Sequence, residues 1–286
     1  MIAERRNVLP RFRRTVIVVA GCLAAPLALP GQAAPLPDVP TLMEQVRQHQ
    51  QQLESIRENY TFRERDVTDT LNKDGSLKKT ESEEDEIFFV NTHEVRRQVK
   101  KDGRDLTPEE QQREQERVLK YVEKAEKTPP GQAPNGEVVI SISRILAVVK
   151  VSSPRREMLD GRSTIAFDFA GDPHAKAHGP AEEAARRMSG TVWIDEKDRQ
   201  VRRLTAQVDD NVHLGFGMVS ISRGSTLVFD QKLVNNELWL PTSAEIFVTA
   251  HAFAVVGVRA NVRVTDSDYK KFHAEAVQQP GATVVQ

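Results

Sequence analysis

The hydrophobic and polar positions of the chain predict one amphipathic helix followed by a long series of strands. After residue 41 the apolar residues recur at helical spacing, at Leu42, Val46, Leu53 and Ile56. Thr41 and Glu44 have the spacing of a capping box, so we expect the helix to begin at Thr41. A single apolar stripe predicts that this helix packs on a larger element.

The segment after this helix predicts antiparallel strands joined by hairpins. Residues 60–69 alternate weakly, and residues 72–75 (NKDG) form a turn signal. An apolar run at 87–90 lies in a segment that runs to Lys101 and ends at residues 102–103. The acidic run 81–86 (ESEEDE) lacks the glycine turn of a calcium loop. We interpret this run as a solvated strand edge.

A polar helix and a linker separate the two halves of the chain. Residues 105–127 are rich in Glu, Gln, Arg and Lys and open with Thr107-Pro108, which predicts a surface helix. The prolines and glycines of residues 128–136 predict a flexible segment. Residues 138–149 are apolar, and their pattern fits a strand or a buried helix.

The second half of the chain is strongly β. Ile165, Phe167 and Phe169 share one face of a strand at 163–169. We expect residues 191–194 to pair with 201–208 and residues 224–234 to pair with 238–250, with a last strand at 255–266 and an inserted loop at 172–187 that contains a short helix. The total of about eight to eleven strands favours a continuous antiparallel meander or barrel.

The N-terminus has the three parts of a secretory signal peptide. Five arginines precede an apolar run of 14 residues at 16–29, and Gly31-Gln32-Ala33 places small residues before a cleavage site near Ala33. A membrane-spanning helix needs about 20 apolar residues, and Pro26 interrupts this run. An alternative is that Val19-Ala20-Gly21-Cys22 is a lipobox and that Cys22 carries a lipid anchor.

Charge and cysteine content exclude several classes of function. Removing residues 1–33 takes away five arginines and one glutamate, which changes the formal charge from −1 to −5. An acidic chain argues against nucleic acid as a partner, because phosphate binding depends on clustered Lys and Arg. Cys22 is the one cysteine, so the processed chain would have neither a disulfide nor a cysteine nucleophile.

The sequence contains no convincing catalytic constellation. It lacks a G-x-S-x-G elbow, an H-E-x-x-H motif and a P-loop. His174 and His178 are four residues apart, but neighbouring prolines and glycines prevent the helix that would bring their rings to one side for a metal. Asp195 and Asp198 lie in a sequence typical of a turn. We therefore predict no catalytic residue, no cofactor and no metal site, and we expect a protein that is not an enzyme.

The remaining candidates are aromatic residues in predicted strands. Plain core packing explains any one of them, but together they give a curved sheet more apolar face than two amphipathic helices can cover. An apolar cavity of this kind would be lined by Phe88, Phe167, Phe169, Trp193, Phe229, Trp239 and Phe247.

Three short motifs carry a family resemblance within residues 137–272. DGR at 160–162, TVWID at 191–195 and ELWLP at 237–241 occur in this order, each beside a predicted strand. In this combination the chain resembles the outer-membrane lipoprotein-sorting (LolA-like) superfamily of bacterial envelope proteins. The resemblance implies a mainly β (α+β) fold: a curved antiparallel sheet that forms an incomplete barrel, covered by two or three helices, as one domain at 34–286.

The resemblance also implies a function and a place in the cell. It implies a periplasmic binding protein that holds a lipid acyl chain or a lipoprotein anchor in an apolar cavity, for transport across the envelope, with peripheral membrane contact. A second hypothesis is a regulatory or scaffolding module, without lipid transport, that binds another envelope protein through residues 107–127 and the acidic strand.

Overall fold

The chain forms long antiparallel strands and four helices in the part that the structure, a computed structural model, describes: residues 35–129, 132, 134, 142–214, 219–252 and 256–271. The predicted signal peptide and most of the predicted flexible segment lie outside these residues. The helices are α1 (Val39–Arg57), α2 (Pro108–Lys127), α3 (Ile142–Leu146) and α4 (Pro180–Ala185). The strands are β1 (Tyr60–Leu71), β2 (Leu77–Val90), β3 (His93–Lys101), β4 (Arg104–Asp105), β5 (Val149–Leu159), β6 (Arg162–Gly171), β7 (Met188–Asp195), β8 (Val201–Val208), β9 (Val212–Leu214), β10 (Val219–Ile221), β11 (Thr226–Val234), β12 (Leu238–Ala252) and β13 (Val256–Lys271).

All thirteen strands belong to one antiparallel sheet. Its order is β4-β3-β2-β1-β13-β12-β11-β8-β7-β6-β5, and the short strands β9 and β10 extend from β12. The first long strand therefore pairs with the last. Within the described residues β4 and β5 end the sheet and do not pair with each other, so the curved sheet stays an incomplete barrel, which confirms the predicted fold class.

Turn residues set the register of the hairpins. Asn235 and Asn236 have φ angles of 53° and 55° at the centre of the turn that joins β11 to β12 as predicted, where the backbone N–H of Glu237 donates a hydrogen bond to the carbonyl of Val234 at 3.0 Å. A second such turn, at Asn91 and Thr92, has φ angles of 49° and 68°. It separates β2 from β3 just after the apolar run 87–90.

Helix α1 packs one apolar stripe on the sheet, as its spacing predicts. Leu42 and Val46 are buried in a cluster with strand residues that include Phe167 and Val192. The predicted cap is wrong, because the helix begins at Val39 and the side chain of Asp38 accepts a hydrogen bond from the backbone N–H of Thr41 at 3.1 Å. An Asp that precedes proline at the second helical position is itself a favoured N-cap.

The acidic run 81–86 is not a strand edge. It lies in β2, between β1 and β3, where basic residues of β3 face it. Lys100 lies 3.1 Å from Glu84, and Arg97 forms a salt bridge with Glu86. Cross-strand pairs of opposite charge stabilise such a sheet. The sequence pattern missed them because the pairing depends on register.

Helix α2 covers the outer edge of β3. A carboxylate oxygen of Glu114 accepts a hydrogen bond from the backbone N–H of Gln98 at 2.6 Å, and Arg117 donates one to the carbonyl of Arg96. Val118 of α2 is buried. An open strand edge invites pairing with other chains, so this predicted surface helix also protects the sheet.

The two short helices come from segments that the sequence left partly open. The described end of the apolar segment 138–149 is α3 followed by the start of β5. The inserted loop 172–187 contains α4, and His174 and His178 lie in the loop before it. In the described part of the chain, no helix is both long enough and apolar enough to span a membrane.

Candidate functional site

The concave face of the sheet encloses a cavity of about 520 Å³. This volume lies within the range of about 300–1,000 Å³ that is usual for small-molecule sites. The wall is mostly apolar and is contributed by eight strands and by helices α3 and α4. Its principal apolar members are Phe62, Leu146, Phe169, Val192, Leu204, Leu227, Phe229, Trp239 and Val264.

Strand register places one apolar side chain after another along this face. Val192 pairs with Leu204, Leu204 with Phe229, Phe229 with Ala244, and Ala244 with Val264. Paired residues of adjacent strands project to the same side of a sheet. Five strand spacings of about 4.8 Å separate β13 from β6, so the apolar face is roughly 24 Å wide along the curve.

Helix α1 borders the cavity on one side. Val192 and Val201 belong both to the core cluster that α1 covers and to the cavity wall. The helix therefore converts part of the concave face into core and leaves the rest as the cavity.

Three of the seven aromatic residues named from the sequence line the cavity: Phe169, Phe229 and Trp239. Phe167 is fully buried in the core beneath α1. Phe88, Trp193 and Phe247 project from the convex face. The residue before each of them pairs with a residue on the concave face, and successive side chains of a strand point to opposite sides of the sheet. Their aromatic character predicted a strand but not the side of the sheet.

Trp239 is held at the wall by its polar atom and by two cations. Its Nε1 donates a hydrogen bond to Asp198 at 3.1 Å, and the guanidinium carbons of Arg162 and Arg202 lie 5.4 and 5.2 Å from its ring centroid. Arg162 also bonds Asp195, whose side chain caps the turn before β8. The DGR, TVWID and ELWLP motifs thus meet in the fold, and their charged residues orient an aromatic wall residue.

One end of the cavity is acidic. Asp85, Glu64 and Asp266 lie directly opposite one another on β2, β1 and β13. Like charges in this position destabilise a sheet unless a cation compensates them. Glu94 joins Glu64 and Asp266 at the wall of the cavity.

Arg96 of β3 supplies a compensating cation. Its Nη2 donates hydrogen bonds to Glu64, to Asp66 at 2.9 Å and to Asp85 at 3.1 Å. Oxygens of these three carboxylates lie within 4.8 Å of one another, close enough to ligate a metal ion. The guanidinium already occupies the position that such an ion would take, so this triad does not fit a metal.

Burial and mutual repulsion perturb the acids at this end. Burial, opposed by the charge of Arg96, raises the pKa of Glu64 to about 7. Burial together with the charges of Glu64 and Glu94 raises the pKa of Asp266 to about 8. Burial likewise raises the pKa of Asp66. Near neutral pH the cluster therefore holds protons that ordinary carboxyl groups would have released.

The sequence pattern does not reveal this acidic end. Phe62, Glu64 and Asp66 alternate along β1 and share the concave face, although two of them are charged. That alternation was the available signal, but it shows neither which face is concave nor that Asp266, about 200 residues later, lies opposite Glu64.

Three solved structures show the fold's likeness to known proteins. A LolA superfamily protein from Nitrosomonas europaea is 10% identical, with 81% of this chain and 94% of that chain covered at a TM-score of 0.31. A DUF1329 family protein from Desulfovibrio piger is 10% identical, with 82% of this chain and 92% of that chain covered at a TM-score of 0.37. MucB in complex with MucA(peri) is 7% identical, with 83% of this chain and 100% of that chain covered at a TM-score of 0.22.

The first of these structures belongs to the superfamily that the sequence motifs resemble. No protein-family model and no curated protein matches the chain.

Proposed function

We propose that this protein is a periplasmic binding protein that holds the acyl chain of a lipid or a lipoprotein anchor in the cavity of its incomplete barrel and carries it across the envelope. The observation that supports this proposal is the apolar cavity of about 520 Å³ beneath α3 and α4. Each methylene group that an acyl chain buries there contributes about 0.8 kcal/mol. A flexible chain can follow a curved apolar wall without a fixed set of polar partners.

A cavity-filling variant tests this proposal. Ala244 lies in the middle of the wall, and Ala244→Trp would occupy the space that a chain needs. Glu245→Trp is the matched control, because Glu245 is the exposed next residue of β12 and projects to the convex face. We expect Ala244→Trp to weaken binding of the apolar dye N-phenyl-1-naphthylamine at least about tenfold, as the loss of two or more buried methylene groups would.

Native mass spectrometry of the protein purified from its own envelope is the second test. We expect a bound lipid that is absent from Ala244→Trp and present in Glu245→Trp. Protein that carries no lipid and also fails to bind the dye would contradict the proposal.

The proposed location has its own test. The intact mass of the processed protein distinguishes a chain that begins at Ala34 from one that begins at a lipidated Cys22. A mass that starts at Ala34 supports a carrier that is free to move in the periplasm, whereas lipidated Cys22 would tether it and contradict free transport.

A second candidate function, binding of another envelope protein, has one observation in its favour. A groove of about 530 Å³ lies between α2 and β3, and Leu119 at its side is 61% exposed. Because α2 also protects the edge of β3, deleting the helix would damage the fold, and Leu119→Arg is the cleaner variant. A partner captured by the native protein and lost with Leu119→Arg would support this function; capture by both would contradict a role for the groove.

A further inference from the structure

The acidic end of the cavity carries hydrogen-bond acceptors that lack donors. Asp266 is 7% exposed; its side chain shares a hydrogen bond with Glu64, but among the described residues its Oδ1 has no hydrogen-bond partner. The buried Oε1 of Gln231, on the same cavity wall, also has none within the described chain. A buried polar group without a partner costs about 1–3 kcal/mol. The amide oxygen of Gln231 accepts hydrogen bonds, and Oδ1 of Asp266 does so once the carboxyl group is ionised, so the missing group is a donor.

The charges at this end are also unbalanced. Glu64, Asp66, Asp85 and Glu94 interact with the guanidinium of Arg96, and Arg117 also acts on Asp85. The fifth carboxyl group, that of Asp266, interacts with Glu64, Asp66 and Glu94. Arg96 bonds three of the five carboxylates and lies 3.7 Å from Glu94. Asp266 has no ion pair within the described residues, although it lines the cavity. The deficit is therefore one of positive charge, at the side that faces the cavity.

We propose that the acidic end binds the primary ammonium head group of an aliphatic amphiphile whose chain occupies the apolar part of the cavity. This inference rests on the proposed function and specifies its ligand. An ammonium group supplies both a positive charge and three donors, and it is compact enough to meet Asp266 and Glu64 together. A fatty acid of the same length would place its carboxylate against carboxylates.

Binding of an ammonium group is linked to the protonation of the cluster. Asp266 lies opposite Glu64 of β1 and also interacts with Asp66 of β1 and Glu94 of β3. Glu64 in turn meets Asp85 of β2 and Arg96 of β3. The raised pKa values mean that Glu64 and Asp266 are partly protonated near pH 7 and lose protons as the pH rises toward 9. An alkylammonium ion keeps its charge over this range, so its affinity should increase with pH.

Competition against bound N-phenyl-1-naphthylamine measures the head-group preference. Dodecylamine and dodecanoic acid, each kept below the concentration at which it forms micelles, have the same chain and opposite charges at pH 8. We expect dodecylamine to displace the dye at a concentration at least about tenfold lower than dodecanoic acid. A tenfold difference corresponds to the free energy of about one charge-assisted hydrogen bond. Dodecylphosphocholine, whose phosphate precedes a quaternary nitrogen that has no donor, should compete less well than dodecylamine.

Two substitutions locate the preference. Asp266→Asn and Glu64→Gln each remove one negative charge, and we expect each to reduce the ratio of amine to acid affinity about tenfold. Two variants are used so that a folding defect in one does not decide the test. Asp268→Asn is the matched control, because Asp268 is an exposed carboxylate of the same strand, and it should keep the wild-type ratio.

The outcomes separate this inference from the proposed function. Equal displacement by acid and amine, or a ratio unchanged in both variants, would overturn the ammonium site while leaving chain binding intact. Displacement by dodecylphosphocholine as strong as by dodecylamine would also overturn it. Failure of every aliphatic compound to displace the dye would overturn both proposals.

Discussion

The buried carboxyl group of Asp266 should make the protein less stable as the pH rises. In the folded chain the pKa of Asp266 is about 8, against an ordinary value of 3.8, and the pKa of Glu64 is about 7, against 4.5. Between the ordinary and the raised values the folded state binds more protons than the unfolded state. The free energy of unfolding must therefore fall as the pH increases from about 4 to about 8.

Asp266→Asn removes most of this dependence. Each pH unit between the two pKa values corresponds to about 1.4 kcal/mol, so ionisation of Asp266 opposes folding by several kcal/mol above pH 8. Part of this cost is the repulsion from Glu64, which relaxes when Glu64 is protonated instead. We therefore expect the variant to be more stable than the wild type by about 3 kcal/mol at pH 9 and within about 1 kcal/mol of it at pH 5.

Urea unfolding followed by circular dichroism at pH 5, 7 and 9 measures the effect. Urea leaves the ionic strength unchanged, so it does not screen the cluster. Asp268→Asn should follow the wild-type profile, because its carboxylate is exposed. A wild-type stability that does not fall between pH 5 and pH 9, or an Asp266→Asn profile parallel to it, would refute this reasoning about the acidic end.

Two further predictions concern packing. Leu42→Ala should lower the free energy of unfolding by about 2–5 kcal/mol, because Leu42 is 1% exposed in the core between α1 and the sheet. Leu119→Ala, at a 61% exposed position, should change the free energy of unfolding by less than about 1 kcal/mol in the same urea assay. Equal losses of stability in the two variants would contradict the packing of α1. Gly190→Ala should prevent normal pairing of β7 and β8, because a Cβ there would lie 1.8 Å from the carbonyl oxygen of Thr205. Gly179→Ala is the control, since the atom nearest to a Cβ at that position is 3.6 Å away. Equal melting temperatures of the two variants would contradict the close approach at Gly190.

Local sequence determined most of the secondary structure. Alternation and turn residues predicted the hairpins β7–β8 and β11–β12, and the spacing of Leu42 and Val46 predicted the buried stripe of α1. These features depend on residues that are close in the chain, so the pattern contains the information. The cap of α1 was missed because Asp38 and Thr41 are both good N-cap residues, and the turn at 91–92 was missed because it carries no glycine.

Only the tertiary structure decided what the concave face holds. Phe229 and Phe247 look alike in sequence, yet one lines the cavity and the other projects from the convex face, because a shift of one residue reverses the side of the sheet. Glu64 and Asp266 share a site because the first long strand pairs with the last. The alternating pattern determined that these segments are strands; the long-range pairing determined that their acids meet at one end of an apolar cavity.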